Sequence, residues 1–172
     1  MKSSIAITIC CFFCSNTIIA QLNCNQDSTM YIAAYNYVVN DSLCQEKNIV
    51  VSDSIIDLDR FWFSKDLSEF SIEREKLDQY RFRKSYAWFK PFYSPCISSI
   101  FNVKNLNSKL VLFFSVIEDN MLRADLLPHN KKWTNKFNYD EMSFQNVGQI
   151  YLFIFNKKGR IKKVFCHEII YD

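Results

Sequence analysis

Gly148 and Gly159 are the only glycines in the chain, and Pro91, Pro95 and Pro128 the only prolines. Loops that cradle phosphate need several glycines, because side chains would hold the backbone away from the anion. Neither G-x-G-x-x-G nor G-x-x-x-x-G-K-[ST] occurs, which excludes nucleotide-binding enzymes of those types. Histidine is equally scarce, with only His129 and His167. The cysteines show no zinc-ligand spacing, and no metal or cofactor is expected.

What the chain does have begins at its N-terminus. Residues 1–20, MKSSIAITICCFFCSNTIIA, start with Lys2, run apolar from Ile5 to Phe13 and end on the small residue Ala20 before Gln21. This pattern reads as a secretory signal peptide, removed before Gln21. Its apolar core is about half of the roughly 20 residues that span a bilayer, so no transmembrane segment is expected in the mature chain. Cys14 follows Phe12-Phe13 and Cys24 follows Gln21-Leu22-Asn23, neither the small-residue context of a lipid anchor. The expectation is an exported protein, periplasmic or secreted, with residues 21–172 forming a single domain. A hydrophobic content of 49% and an aromatic content of 16% favour a packed globule over disorder.

The net charge of +3 conceals an asymmetry. Residues 21–80 hold eleven acids against five bases, while residues 81–172 hold seven acids against fifteen bases. Either the two halves neutralise each other across the fold, or the basic half docks an anionic partner, namely an acidic protein, a polysaccharide or a membrane surface. Export argues against nucleic acid. Cys24, Cys44, Cys96 and Cys166 remain in the mature region. They permit two disulfides in three connectivities, a Cys96–Cys166 bridge among them, or four buried thiols.

Periodicity sketches the elements. Met30, Ala33, Ala34, Tyr37 and Val38 recur at helical spacing and predict a helix over 28–40, capped by Asp27 or Ser28 and closed at Asn40-Asp41-Ser42. Residues 48–64 read as one or two strands, 66–80 as a surface helix with Leu67, Phe70, Leu77 and Tyr80 along one side, and 81–89 as a strand ended by Pro91 and Pro95. Lys109–Ile117 and Gln149–Phe155 are apolar on both faces. A turn at Glu118-Asp119-Asn120 leads into Met121–Leu127, with Leu122, Ala124 and Leu126 inward. Residues 128–146 read as a polar loop. Asn156-Lys157-Lys158-Gly159 forms a short hairpin loop, with Gly159 at a positive-φ position, and Ile161–Tyr171 returns as the last strand. Strands apolar on both faces must be covered on both sides or curled into a roll.

One N-terminal helix followed by an antiparallel meander resembles the cystatin-like and nuclear-transport-factor-like α+β rolls, and implies a helix packed on a curved antiparallel sheet. The Ile-, Lys-, Asn- and Phe-heavy usage and the Ala20-Gln21 junction are similar to small uncharacterised exported proteins of Bacteroidetes. SVIEDNMLRADLL (115–127) and GQIYLFIFNKKGRIKKV (148–164) are similar to the C-terminal hairpins of such proteins. That likeness covers under a third of the chain and brings no catalytic residues with it.

Candidate chemistry is sparse. Cys166 and His167 are adjacent, but strand neighbours point to opposite faces, so they form no dyad. Asp41, Asp53, Asp57 and Asp59 lack the glycine turn of a calcium loop. Glu118 and Asp119 are adjacent turn carboxylates, whose ordinary place is facing water. No catalytic residue is assigned. The densest cation cluster is Lys157, Lys158, Arg160, Lys162 and Lys163, which serves either as an edge guard or as a docking surface. Tyr86, Trp88, Phe92 and Tyr93 belong to an aromatic run that lines a groove or joins the core. The functional expectation is a binding module, inhibitor-like or immunity-like. The alternatives are a carrier of a small apolar ligand in the roll cavity and a hydrolase with a cryptic site.

Overall fold

A computed structural model describes residues 27–41, 48–56, 60–70, 92–101, 108–129 and 137–171. The expected leader, Cys24, Cys44, the 81–89 strand, Tyr86 and Trp88 lie outside these residues. Helix α1 (27–40) is followed by β1 (Ile49–Ile56), a 3-10 turn at Phe61–Phe63, α2 (Ser64–Glu69), β2 (Phe92–Tyr93) and α3 (Pro95–Ile100). Then come β3 (Leu110–Ser115), β4 (Met121–Pro128), α4 (Tyr139–Ser143), β5 (Val147–Phe155) and β6 (Ile161–Ile170). The architecture is α+β, with one open sheet in the order β2-β1-β3-β4-β5-β6. No helix among the described residues is long and apolar enough to cross a membrane.

The sheet is mixed rather than purely antiparallel. β3, β4, β5 and β6 form the expected meander, but β1 lies parallel to β3, with Ile49 beside Leu110 and Val51 beside Leu112. A parallel neighbour requires a long crossover. The chain between β1 and β3 provides it and carries α2, β2 and α3. Pro95 occupies the first turn of α3, where its missing N–H costs nothing, two residues after β2 ends at Tyr93. Ser94 caps that helix by accepting from the Ile97 N–H.

Both faces of the sheet are covered. On one, Met30, Tyr31, Ala34 and Val38 of α1 pack against Val51, Leu112, Phe114, Ala124, Tyr151 and Phe153. The apolar stripe of α1 therefore includes Tyr31, whose hydroxyl donates to the Ser115 carbonyl at 3.2 Å. Tyr37 sits at its rim, exposed yet edge-on to the Tyr151 and Phe153 rings. On the other face, Phe63 and Leu67 cover Ile150, Leu152 and Ile154, while Tyr139 and Met142 cover Val111, Phe113 and Leu127. The segment read as a polar loop thus contains α4, capped by Asn138 and bearing Asp140 and Glu141 in its first turn, where carboxylates suit the helix dipole.

Turn chemistry sets both hairpins. Asp119 and Asn120 have φ of 52° and 57°, and Glu118 and Met121 exchange both backbone hydrogen bonds. Two successive positive-φ residues give the turn the twist its strands need. Gly159 has φ of 73°, as expected of the β5–β6 loop. Gly148 is needed for a different reason: a Cβ there would lie 2.6 Å from Leu127 Cδ2.

Candidate functional site

The β5–β6 hairpin projects the basic cluster at the rim of the sheet. Asn156 builds its loop by accepting at Oδ1 from the Lys158 and Arg160 N–H groups, at 2.8 and 3.1 Å. The short turn leaves Lys157, Lys158 and Arg160 in water, and Lys162 and Lys163 are exposed just beyond it. None of the five has an acidic partner among the described residues. Lys162 Nζ lies 5.0 Å from the Phe70 ring centre and Lys163 Nζ 5.4 Å from that of Phe165, an attraction to the ring faces that leaves the charges available. The structure thus brings the cations together but divides them into a loop triplet and a strand pair.

The aromatic groove fares differently. Of its four residues, Tyr93 is exposed, with its hydroxyl 2.7 Å from Ser98 Oγ, and Phe92 contributes backbone to β2.

His167 meets an acid instead of a thiol. Its Nε2 lies 2.7 Å from Asp66 Oδ2, and its ring packs on Phe63 at 5.1 Å between centres. This contact pins α2 to β6 and joins the acidic and basic halves of the chain. Cys166 points to the α1 side and is a free thiol. Burial pushes that thiol above its ordinary value, the nearby Tyr151 hydroxyl works against the shift and Asp41 adds to it. Thiolate is the nucleophilic form, so the site disfavours thiol chemistry. Cys96 is disulfide-bonded, so the Cys96–Cys166 bridge does not form. His129 Nδ1 is 2.9 Å from the Ser108 carbonyl and its ring packs on Phe137. Glu118 takes Arg60 at 3.3 Å. Asp53 stands on β1, Asp41 follows α1, and Asp57 and Asp59 lie outside the described residues.

A fully buried charged cluster escaped the reading of the sequence. Arg123 and Asp125 alternate with Leu122, Ala124 and Leu126 on β4 and pair bidentately, with Nε–Oδ1 and Nη2–Oδ2 both 2.8 Å. Tyr139 of α4 and Tyr171 after β6 each donate to Asp125 Oδ2 at 2.6 Å. The Arg123 N–H donates to Ser115 Oγ. Burial opposes the arginine's charge, but the Asp125 carboxylate prevails and raises its pKa. Burial, then the same carboxylate, raises both tyrosines above their ordinary value. The signal was present in the pattern: β4 lies between two strands apolar on both faces, so its second face had to be buried as well. Opposite charges two residues apart on one strand share that face and can satisfy each other.

Among the described residues, no three of His, Cys, Asp and Glu gather as metal ligands. No family model, curated protein or solved structure matches the chain.

Proposed function

We propose that this chain is an exported binding module that engages an anionic partner through the β5–β6 hairpin. The observation that carries the reading is the set of five exposed cations on one hairpin, none with an acid beside it among the described residues. Charges needed only for the fold would find counter-charges, as Arg123 does with Asp125 and Asp66 with His167. Unneutralised cations on a rigid support raise the local concentration of anionic ligands and speed encounter. The leader-like residues 1–20 and the disulfide at Cys96 support export, since disulfides persist in oxidising compartments. Helix α1 laid across one face of the sheet, as in cystatin-like and nuclear-transport-factor-like rolls, is the architectural ground for an inhibitor-like or immunity-like form of the proposal. The space between α1 and the sheet is filled by Tyr31, Phe114, Tyr151 and Phe153, which favours binding at the surface over a carrier's cavity.

The test uses the mature chain and a sulfated polysaccharide as the anionic probe. Replacing Lys157, Lys158 and Arg160 by Gln should weaken retention at least tenfold, and raised salt should mimic the change because exposed charges are screened within about 8–10 Å. Retention unaltered by both would contradict the reading. Mass spectrometry of the native protein should find its N-terminus at or near Gln21.

A further inference from the structure

The ladder between β5 and β6 is regular until it nears the hairpin loop. Ile154 pairs with Lys163, but Phe155 pairs with Ile161, which leaves Lys162 as the extra residue of a β-bulge. Ile154 packs on the α2 side of the sheet, so Lys163 opposite it stands on that side. In a regular strand the neighbouring Lys162 would point to the other side. Instead its Nζ lies over Phe70, which packs on the α2 side together with Phe165, the ring beneath Lys163. The two rings meet edge to face, 6.2 Å apart at 85°. The bulge therefore sets two consecutive lysines on one face, each over one ring of a touching pair.

Like charges side by side are unfavourable, and regular alternation would have separated these two. Edge protection accounts for a bulge and for lysines, but for neither the shared face nor the ring beneath each amine. The rings restrict two long side chains, so less freedom is lost when a ligand binds. Successive Cα atoms stand about 3.8 Å apart, and four-carbon stems from neighbouring positions on one face can converge on a single group.

We infer that Lys162 and Lys163 are the specificity element of the hairpin and seat a tetrahedral oxyanion ester carried by a polysaccharide chain, as in a sulfated sugar. The inference rests on the hairpin's engaging an anionic partner and names that partner's class. A tetrahedral group spreads its terminal oxygens, so two separate ammonium groups donate to different oxygens without crowding. A carboxylate holds its two oxygens in one plane, a geometry that a guanidinium fork matches and two point charges do not. This disfavours an acidic protein, whose charges are carboxylates. A lipid surface is gripped by projecting apolar side chains as well as by cations, and no exposed large hydrophobic residue lies between Gly148 and Ile169. Lys157, Lys158 and Arg160 stand in the loop and supply attraction that does not discriminate between anions.

The test measures the mature chain's affinity for dextran sulfate and for carboxymethyl dextran of equal charge density, at one ionic strength. The wild type should prefer the sulfated polymer by about tenfold or more, since specificity is the difference of the two affinities. Lys162→Gln combined with Lys163→Gln should reduce that preference to about twofold or less. Replacing Lys157, Lys158 and Arg160 by Gln should weaken both polymers by similar factors and leave the preference in place. Phe70→Leu keeps every charge and should still narrow the preference, which a packing role alone would not do, because the ratio compares two ligands on one folded protein. Equal affinity for the two polymers, or a preference that survives the Lys162 and Lys163 substitutions, would overturn the inference while leaving the hairpin's anion binding intact. Tighter capture by phosphatidylglycerol vesicles than by dextran sulfate would overturn it in favour of a lipid surface. A wild type that holds neither polymer nor vesicle would remove the hairpin's recognition role altogether, and this inference with it.

Discussion

On β4 a charged pair, Arg123 and Asp125, is sealed from water and held by two tyrosine hydroxyls. Two strands away, on the β5–β6 hairpin, five cations stand in water with no acid beside them among the described residues. The same residue types do opposite work because solvent prices them differently. A buried charge must be matched almost completely, since removing one partner strands the other in low dielectric. An exposed one costs little and stays available to a partner. The centre of the sheet therefore carries stability, and its rim is free to carry recognition.

The largest effect expected from breaking this contrast is at Asp125. Asp125→Ala leaves Arg123 buried without its carboxylate and both tyrosines without their acceptor, and should cost about 3–5 kcal/mol in denaturant melts. A loss under 1 kcal/mol would mean that the cluster is hydrated rather than sealed. Close behind is the apolar core. Leu112 and Leu152 are fully buried on opposite faces of the sheet, and truncating either to Ala should cost roughly 2–5 kcal/mol.

pH sharpens the comparison next. Tyr139 and Tyr171 have their pKa raised in the fold by burial and by Asp125. Their contribution is thus fully present below the unfolded tyrosine's value, about 10, and is lost as pH rises toward the higher folded values. Unfolding free energy should fall in alkali above that point, and Tyr171→Phe should flatten the fall while lowering stability at neutral pH by about 1–3 kcal/mol. An alkaline limb identical in both proteins would remove Tyr171 from the account. The hairpin should show the smallest structural effect. Replacing Lys157 and Lys158 by Gln should leave stability within about 0.5 kcal/mol.

The elements that could be read along the chain are those whose determinants are local. α1 shows itself by repeated apolar positions over several turns, and the two hairpins by the turn at Glu118-Asp119-Asn120 and by Gly159, whose expected positive φ the structure bears out. The basic cluster was legible for the same reason, being contiguous. α2 (Ser64–Glu69) falls at the start of the helix expected over 66–80, whereas α4 spans five residues, too few turns for a 3.6-residue period to stand out, so Tyr139 and Met142 passed for loop. The parallel β1–β3 pair joins residues some sixty positions apart, and no local pattern records such a choice. Arg123–Asp125 lay between the two failures: the residues were visible, but their burial depended on β4 having neighbours on both sides and cover above.

The most direct measurement takes the Lys157, Lys158 and Arg160 to Gln variant and follows two quantities on one preparation, the melting temperature and the dissociation constant for a sulfated polysaccharide. Stability held at the centre and recognition at the rim predict an unmoved melt together with at least a tenfold weaker complex, a difference of about 1.4 kcal/mol in binding alone. A lowered melting temperature with binding intact would contradict the account.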